Sequence, residues 1–284
     1  MLNLLRRIIG EMTPITLRDI DNVALLNRMD TKFVMTEQQL ARALDAVTHQ
    51  YNVLEINSVR LGRYRTIYFD TSDFSFYRSH HNGERDRYKV RCRSYEDSHL
   101  CFLEVKRKTN KERTIKKRIP IPGLVESLDG FSGEQIGACL PFALDALQPV
   151  LWNRFHRMTL INFNEGERVT VDVNLEFGWN DRSFRLDHVA IVEIKQVRMN
   201  MHSPFRWQMH SQHIQPDGFS KYCIAAANLY PELKRNRFKE LFLRIGRIQQ
   251  AGAADLAPQM MAAQMMATQM TADPGLDATG EADS

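Results

Sequence analysis

Charged and apolar residues alternate along three successive stretches of residues 88–121, and this pattern predicts three β-strands. Successive side chains of a strand point to opposite faces, so residues two apart share a face. One face of these strands is ionic and carries Lys89, Arg91, Arg93, Glu104, Lys106, Lys108, Lys116 and Arg118. The other face is apolar, and we expect it to be buried through Val90, Cys92, Leu103, Val105, Ile115 and Ile119.

The rest of the pattern predicts an α+β fold, because further strands are interrupted by helices without regular βαβ alternation. Strands are predicted over residues 27–35, 64–71, 151–163, 168–179 and 188–196. Thr36 and Gln39 predict a capping box at the start of a helix with an apolar stripe. Further helices are predicted over residues 132–148, 203–214 and 220–246.

Charge divides the chain into a basic body and an acidic end. The formal net charge is +4, but residues 251–284 contain five acids and no base, which leaves 29 acids against 38 bases, about +9, in residues 1–250. A body of that charge favours an anionic partner. The Ala-, Met- and Gln-rich residues 249–284 are predicted to be a disordered tail, in which a transient helix is possible.

A cationic strand face opposite a covered apolar face predicts a sheet that closes into a barrel with a charged lumen. Buried cations are costly unless a negative group lies among them, and a phosphate chain satisfies that requirement. Arginine offers forked donors to phosphate oxygens, and lysine offers a point charge. The alternative is an open sheet with one solvated face, although such faces usually mix both charge signs with Thr, Ser and Gln.

The same test of alternate positions finds further ionic strand faces. Arg168, Thr170, Asp172 and Asn174 share one face, Glu193 and Lys195 share another, and Arg28, Asp30 and Lys32 share a third. Carboxylates among phosphate-binding bases suit a divalent metal. We therefore predict Glu193 and Glu104 as metal ligands, while ion pairs with arginines are the alternative for Glu104 and Asp172.

At this point the motifs resemble those of a known family. "KFVM", "YRTIYFDTSDFSFYRSHHNG", "RYKVRCRSY", "FLEVKRKTNKERTIKKR", "ERVTVDVNL", "VEIKQ" and "FSKYC" occur in the order typical of a VTC domain. That is the polyphosphate polymerase domain of the vacuolar transporter chaperone complex and its bacterial relatives, within the triphosphate tunnel, or CYTH-like, superfamily. The resemblance covers about residues 14–243 and predicts a tunnel domain over residues 14–245, followed by the tail over 249–284.

The resemblance implies a closed, antiparallel, eight-stranded tunnel flanked by helices, with Mn²⁺ or Mg²⁺ assisting phosphate transfer. We predict catalytic roles for Arg91, Arg93, Lys106, Arg168 and Lys221. Substrate binding is predicted for Lys32, Lys89, Lys108, Lys116, Arg118, Arg157 and Ser220. Lys116 is preferred over Lys117 from strand alternation alone. Two departures from the family pattern are Arg28, in place of the first acid of E-x-E-x-K, and Phe155, in place of the tyrosine of Tyr-x-Arg.

The resulting hypothesis is a polyphosphate polymerase-like phosphotransferase that uses a nucleoside triphosphate. The alternatives are a tripolyphosphate or nucleoside triphosphate hydrolase with the same tunnel, and a non-catalytic module that binds polyphosphate or nucleotide. Nucleic acid is not an expected partner, because few aromatic residues alternate with the bases. No apolar run reaches about 18 residues, so we expect no transmembrane segment and a cytoplasmic location, with a membrane-protein partner possible. The oligomeric state stays open.

Overall fold

The computed structural model describes residues 1–21, 29–110, 114–128, 130–138, 140, 144–200 and 202–271, with side chains for all of these except residues 21, 131, 132 and 256–271. Arg28 and residues 272–284 therefore lie outside the described residues, as does Cys139. The helices, in chain order, are α1 (Leu2–Gly10), α2 (Leu17–Asp21), α3 (Glu37–Val47), α4 (Ser75–Asn82), α5 (Gly130–Gly137), α6 (Pro204–Ser211), α7 (Lys221–Leu229) and α8 (Lys239–Thr271).

Eleven strands form one sheet in the described part of the chain. They are β1 (Pro14–Ile15), β2 (Met29–Thr36), β3 (Asn52–Leu54), β4 (Gly62–Thr71), β5 (Arg87–Tyr95), β6 (Leu100–Lys108), β7 (Thr114–Ile121), β8 (Leu147–Asn162), β9 (Glu167–Trp179), β10 (Arg182–Leu186) and β11 (Val189–Gln196). Eight of them follow the order β2-β11-β9-β8-β4-β5-β6-β7, and every pair along this path is antiparallel. The predicted α+β class and eight-stranded antiparallel path are confirmed.

The register of β5, β6 and β7 brings the predicted ionic residues onto one face. Arg91 lies opposite Glu104, which in turn lies opposite Arg118. On the reverse face, the apolar residues pack in one cluster with Ile136 of α5, and they include Val90, Cys92, Leu103, Val105 and Ile119. Burial of this face under a helix holds the ionic face inward, because a one-residue slip would exchange the two faces.

Helices α1, α3 and α6 cover the outer face of β2, β9 and β11. The predicted capping box at the start of α3 is present, since the Thr36 side chain accepts from the Gln39 backbone and the Gln39 side chain accepts in return. The cluster beneath these helices includes Leu5, Leu40, Leu44, Phe33, Val171, Val192 and Phe205. Packing of α1 against this cluster accounts for its apolar residues, so none of its buried side chains is free for another partner.

A third cluster fills one end of the curled sheet and brings α7 against it. Strand residues that point inward at this end join Cys223, Ile224 and Ala227 of α7, and they include Val34, Tyr68, Leu151, Phe155 and Ile191. Asp70 on β4 accepts hydrogen bonds from the backbone of Phe76 and Tyr77 at 2.9 and 3.0 Å, and from the Tyr222 hydroxyl. This buried carboxylate therefore fixes α7 and α4 to the same strand.

Closure of the sheet is the first correction to the prediction. Strands β2 and β7 end the path, and among the described residues no strand pairing joins them. The sheet nevertheless curls, since the Lys106 amine on β6 lies within electrostatic range of Asp30 and Lys32 on β2. Both edges carry lysines on the inner face, Lys32 and Lys116, and like charges disfavour direct pairing of the edges.

Two further predictions need adjustment. Ile115 was expected to be buried but is 56% exposed, because it lies on the edge strand β7, while Ile119 and Ile121 of the same strand pack in the cluster with α5. The helix predicted over residues 132–148 is shorter, since α5 ends at Gly137 and β8 begins at Leu147. Helix α8 continues past residue 249 to Thr271, in keeping with the high helix propensity of Ala, Met and Gln; the disordered tail stays a prediction.

Replacing Tyr51 by Phe should destabilise the fold without touching the lumen. The Tyr51 hydroxyl donates to Glu167 and accepts from the Phe205 backbone at 3.2 Å, all within the cluster beneath α6. Tyr51→Phe leaves the buried Glu167 carboxylate short of a donor, so we expect a loss of about 2 kcal/mol in unfolding free energy. Urea denaturation measures it, with Tyr95→Phe as the control. The Tyr95 hydroxyl makes no hydrogen bond to the described residues, and equal losses in both variants would contradict this account.

Candidate active site

Glu104 is the first of three carboxylates that each lie between two bases on the inner face. It accepts from Nε of Arg91 at 2.6 Å, and the Lys116 amine lies 2.5 Å from its other oxygen. The Glu104 side chain is only 2% exposed. Burial alone raises the pKa of this carboxyl, but Arg91, Arg93 and Lys116 outweigh burial and lower it to about 2. Glu104 is therefore ionised and serves as a counter-ion.

Asp172 on β9 is the second such carboxylate. Nε and Nη2 of Arg157 donate to its two oxygens at 2.5 and 2.7 Å, and the Lys221 amine donates to the same group. This bidentate geometry fixes the guanidinium plane. Burial opposes ionisation, but Arg157 and Lys221 hold the pKa of Asp172 well below its ordinary value. Asp172 thereby links Arg157 of β8 to Lys221, the first residue of α7.

Glu193 on β11 is the third carboxylate and differs in its partners. The Lys195 amine donates to it, and the Lys32 amine lies 3.7 Å away. Lys195 also donates to Thr170 at 3.2 Å. Burial lowers the pKa of Lys195 to about 8, although Glu193 opposes this change. Strand alternation places Lys195 on the same face as Glu193, and although Lys195 is not among the predicted site residues, its burial places it in the lumen.

Arg93 lies against aromatic rings rather than a carboxylate. Its Nε donates to Thr66 at 3.2 Å, and its guanidinium carbon lies 5.9 and 5.8 Å from the ring centres of Tyr64 and Phe155. These rings stack on each other with centres 5.1 Å apart. The Lys221 amine lies 4.5 Å from the Phe155 ring centre. Phe155 thus contributes a π face to the bases where the family pattern has a tyrosine hydroxyl.

Helix α7 begins at the lumen. Ser220 is its N-cap and accepts from the Cys223 backbone at 3.3 Å, while the Lys89 amine donates to the same hydroxyl at 2.9 Å. Burial lowers the pKa of Lys89 to about 8. The structure thus brings Lys89 and Ser220 together, with Lys221 on the next residue. Lys116 points to Glu104, whereas Lys117 donates to the Gln135 carbonyl on the outer side, so strand alternation chose correctly between them.

The remaining predicted residues have looser surroundings. Lys106 stays solvent-exposed, yet burial of its amine and the nearby Lys32 and Arg91 lower its pKa, against the effect of Asp30 and Glu193. Arg118 is exposed and stacks on Phe102 with 4.7 Å to the ring centre. Arg168 and Lys108 are half-buried, and register places Arg168 beside Lys195 and Lys108 beside Thr114.

Asn174 is an exception to the predicted face of β9. Its φ is 52°, and its amide contacts His156 at 3.2 Å and the Arg185 guanidinium. The pairing of β8 with β9 shifts register between Arg154 and His156. This β-bulge ends the simple alternation, so Asn174 lies outside the lumen whereas Asp172 lies inside it.

A divalent metal fits this site only if substrate phosphates and water supply most of its ligands. Among the described residues, no three His, Cys, Asp or Glu side chains are grouped closely enough to hold a metal alone. Glu193 and Asp30 lie on adjacent paired strands, where Glu193 faces Lys32 and Asp30 faces Lys195. Mg²⁺ is commonly bound through one or two carboxylates plus substrate phosphates and water. Glu193 with Asp30 therefore suits a metal that arrives with phosphate, while Glu104 is engaged by Arg91 and Lys116.

Comparison with known families agrees with this geometry. The family model described as VTC domain matches residues 27–230. The chain belongs to the VTC domain family. No curated protein matches it significantly. Across the helices that the structure describes, none is long and apolar enough to cross a membrane.

Several solved structures are similar in fold to this VTC domain protein. A candidate adenylate cyclase from Bacillus halodurans is 10% identical, with a TM-score of 0.46 over 72% of this chain and 97% of that one. HpAC1 from Hippeastrum, a candidate adenylyl cyclase with a dominant triphosphatase activity, is 12% identical, with a TM-score of 0.40 over 71% and 97% of the two chains. PH1819 from Pyrococcus horikoshii is 10% identical, with a TM-score of 0.40 over 71% and 99%. At these identities nothing about the activity of this chain follows.

Replacing Glu104 by Gln should leave two bases without their counter-ion. We expect Glu104→Gln to lower the unfolding free energy at pH 7 by about 3 kcal/mol. The folded-state pKa of about 2 lies below the ordinary 4.5, so the stabilisation is present above pH 4.5 and is lost as pH falls toward 2. Denaturant melts of both proteins across this range should show the difference shrinking with acidity. Glu176→Gln, on the outer face of β9, is the control, and a difference that does not depend on pH would contradict the role of Glu104.

Proposed function

We propose that this protein is a phosphotransferase that moves the terminal phosphate of a nucleoside triphosphate onto a polyphosphate chain. The observation that carries the proposal is the inner face itself, where Glu104, Asp172 and Glu193 are each held between two bases and further bases surround them. Bases outnumber carboxylates on this face, so a polyanion would complete its charge. Membership of the VTC domain family supports the same substrate class.

Positioning is the main contribution expected of the protein in such a reaction. Phosphoryl transfer passes through a transition state whose charge is spread over oxygens, and fixed bases stabilise that charge. Arg91, Arg93, Lys106 and Arg168 would clamp the donor phosphates. Lys221 and Ser220, at the start of α7, would orient the terminal phosphate. The next residue, Tyr222, donates a hydrogen bond to Asp70, and this bond fixes the position of Ser220 and Lys221.

The acceptor needs little activation. The attacking group would be an already ionised phosphate oxygen, which has no proton to lose at neutral pH. The bases around Asp172 would instead hold the two anions close together against their mutual repulsion, and this approach accounts for a large part of the barrier.

Glu193, with Asp30 beside it, would hold Mn²⁺ or Mg²⁺. When bound there, the ion would supply positive charge that offsets the negative charge developing on the transferring phosphate. Lys195, which donates to both Glu193 and Thr170, holds this carboxylate on the inner face. We propose ATP as the phosphate donor. We also propose a cytoplasmic location, which is consistent with the buried free thiols of Cys92, Cys101 and Cys223.

The proposal is tested by incubating the full chain with ATP and Mn²⁺ and sizing the phosphate products on a gel. Long chains are expected from the wild type. Arg91→Ala and Glu193→Ala should each lower the rate about 100-fold, because each removes a group that stabilises the transferring phosphate. Arg154→Ala is the control, since Arg154 is exposed on the outer side of β8 and stacks on Trp152.

The products also distinguish the other candidate functions. Orthophosphate as the main product would replace the polymerase with a hydrolase that uses the same tunnel. Binding of tripolyphosphate without turnover would indicate a sensor. Full activity in both Arg91→Ala and Glu193→Ala would show that chemistry occurs elsewhere.

A further inference from the structure

Asn153 on β8 is a buried amide without a partner. The residue is 0% exposed, and neither Oδ1 nor Nδ2 makes a hydrogen bond to any described residue. Buried polar groups are almost always hydrogen-bonded, and an unpaired one costs about 1–3 kcal/mol. An amide that leaves both its donor and its acceptor unused therefore calls for a group that the protein itself does not provide.

The register shows which side of the sheet this amide faces. Asn153 pairs with Thr66 on β4, and Thr66 pairs with Arg93 on β5, so the three residues form one row across three strands. Asn153 also shares its face of β8 with Phe155, whose ring contacts the Lys221 amine, and with Arg157, which pairs with Asp172. Asn153 therefore belongs to the inner face.

Arg93, at the other end of this row, is a buried cation without a carboxylate. It is 5% exposed, and no described carboxylate lies within ion-pair distance of its guanidinium, whereas Arg91 and Arg157 each have one. Its contacts are the Thr66 hydroxyl and the rings of Tyr64 and Phe155. A buried charge without a counter-ion is strongly unfavourable. The row thus combines an unpaired cation at one end with an unpaired amide at the other.

We propose that Asn153 is a further phosphate-binding residue, which donates from Nδ2 to an oxygen of the phosphoryl group held by Arg93; this inference rests on the proposed function. An acceptor-only ligand balances every hydrogen bond in the row. Arg93 already donates to Thr66. The Thr66 hydroxyl keeps its own proton, and in the ligand-bound state it would donate that proton to Oδ1 of Asn153. Nδ2 of Asn153 and the terminal nitrogens of Arg93 then both donate to the phosphate.

The amide has a distinct role in a lumen otherwise built from ions. An uncharged donor adds directional contact without adding another cation beside Arg93, whose pKa is already lowered by burial and by the nearby Arg91 and Arg157. A carboxylate at position 153 would instead pair with Arg93 and occupy the place of the phosphate. Substitutions at Asn153 can therefore distinguish a role in ligand binding from a structural role.

The test measures the affinity of the full chain for sodium tripolyphosphate by calorimetry and its thermal midpoint without ligand. Asn153→Leu removes both unpaired groups at similar volume, so the midpoint should be unchanged or higher, while Kd should weaken about tenfold. Asn153→Asp should raise the midpoint by pairing with Arg93 and weaken Kd about a hundredfold. It also keeps the test valid if Asn153→Leu fails to fold.

Asn162→Leu is the matched control on the same strand. Asn162 faces outward and its Oδ1 accepts from the Glu165 backbone at 3.0 Å, so its loss should lower the midpoint and leave Kd unchanged. Tight binding by Asn153→Leu and Asn153→Asp alike would overturn the inference and assign the amide to a buried water. If the wild type itself bound no tripolyphosphate, the proposed function would fall together with it.

Discussion

The pairing of each inner carboxylate with two bases is the interaction on which this structure depends. Without Glu104, Asp172 and Glu193, six bases of the inner face would lose their counter-ions, and the curled sheet would be electrostatically less stable in the absence of a ligand. Their partners come from β2, β5, β7, β8, β11 and α7. The same ion pairs that neutralise the lumen therefore also hold its walls and the start of α7 together.

The apolar clusters make these ion pairs possible by enclosing them. Helix α5 covers the back of β5–β7, helices α1, α3 and α6 cover the back of β2, β9 and β11, and the cluster around α7 fills one end. Because apolar clusters cover the outer faces of the strands, the ionic faces point inward. Burial then strengthens each charge–charge interaction, since the effective dielectric inside a protein is far below that of water.

Much of this arrangement was predictable because a strand has a period of two. Alternation alone identified Arg91, Glu104 and Lys106 as one face, and it chose Lys116 over Lys117. It failed where the geometry is not local: the bulge at Asn174 interrupts the alternation of β9, and the exposure of Ile115 depends on how far α5 reaches along β7. Two features depend on contacts between distant segments that no local pattern encodes. One is which base pairs with which carboxylate, and the other is that β2 and β7 do not pair with each other within the described part of the chain.

Counter-ions built into the lumen also set a limit on how tightly a polyanion is held, and this limit suits a chain that must move. Bases without carboxylates would bind a phosphate chain so strongly that release would become slow. As a phosphate leaves, each carboxylate can pair again with its two bases. The departure of a phosphate therefore leaves no cations without a counter-ion, and the free energy of the chain varies less from one position in the lumen to the next. Arg93 lacks such a carboxylate among the described residues, so the row that it forms with Thr66 and Asn153 is where a phosphate would be held longest. An uneven distribution of counter-ions along a lumen thus separates positions that hold a phosphate from positions that pass it on.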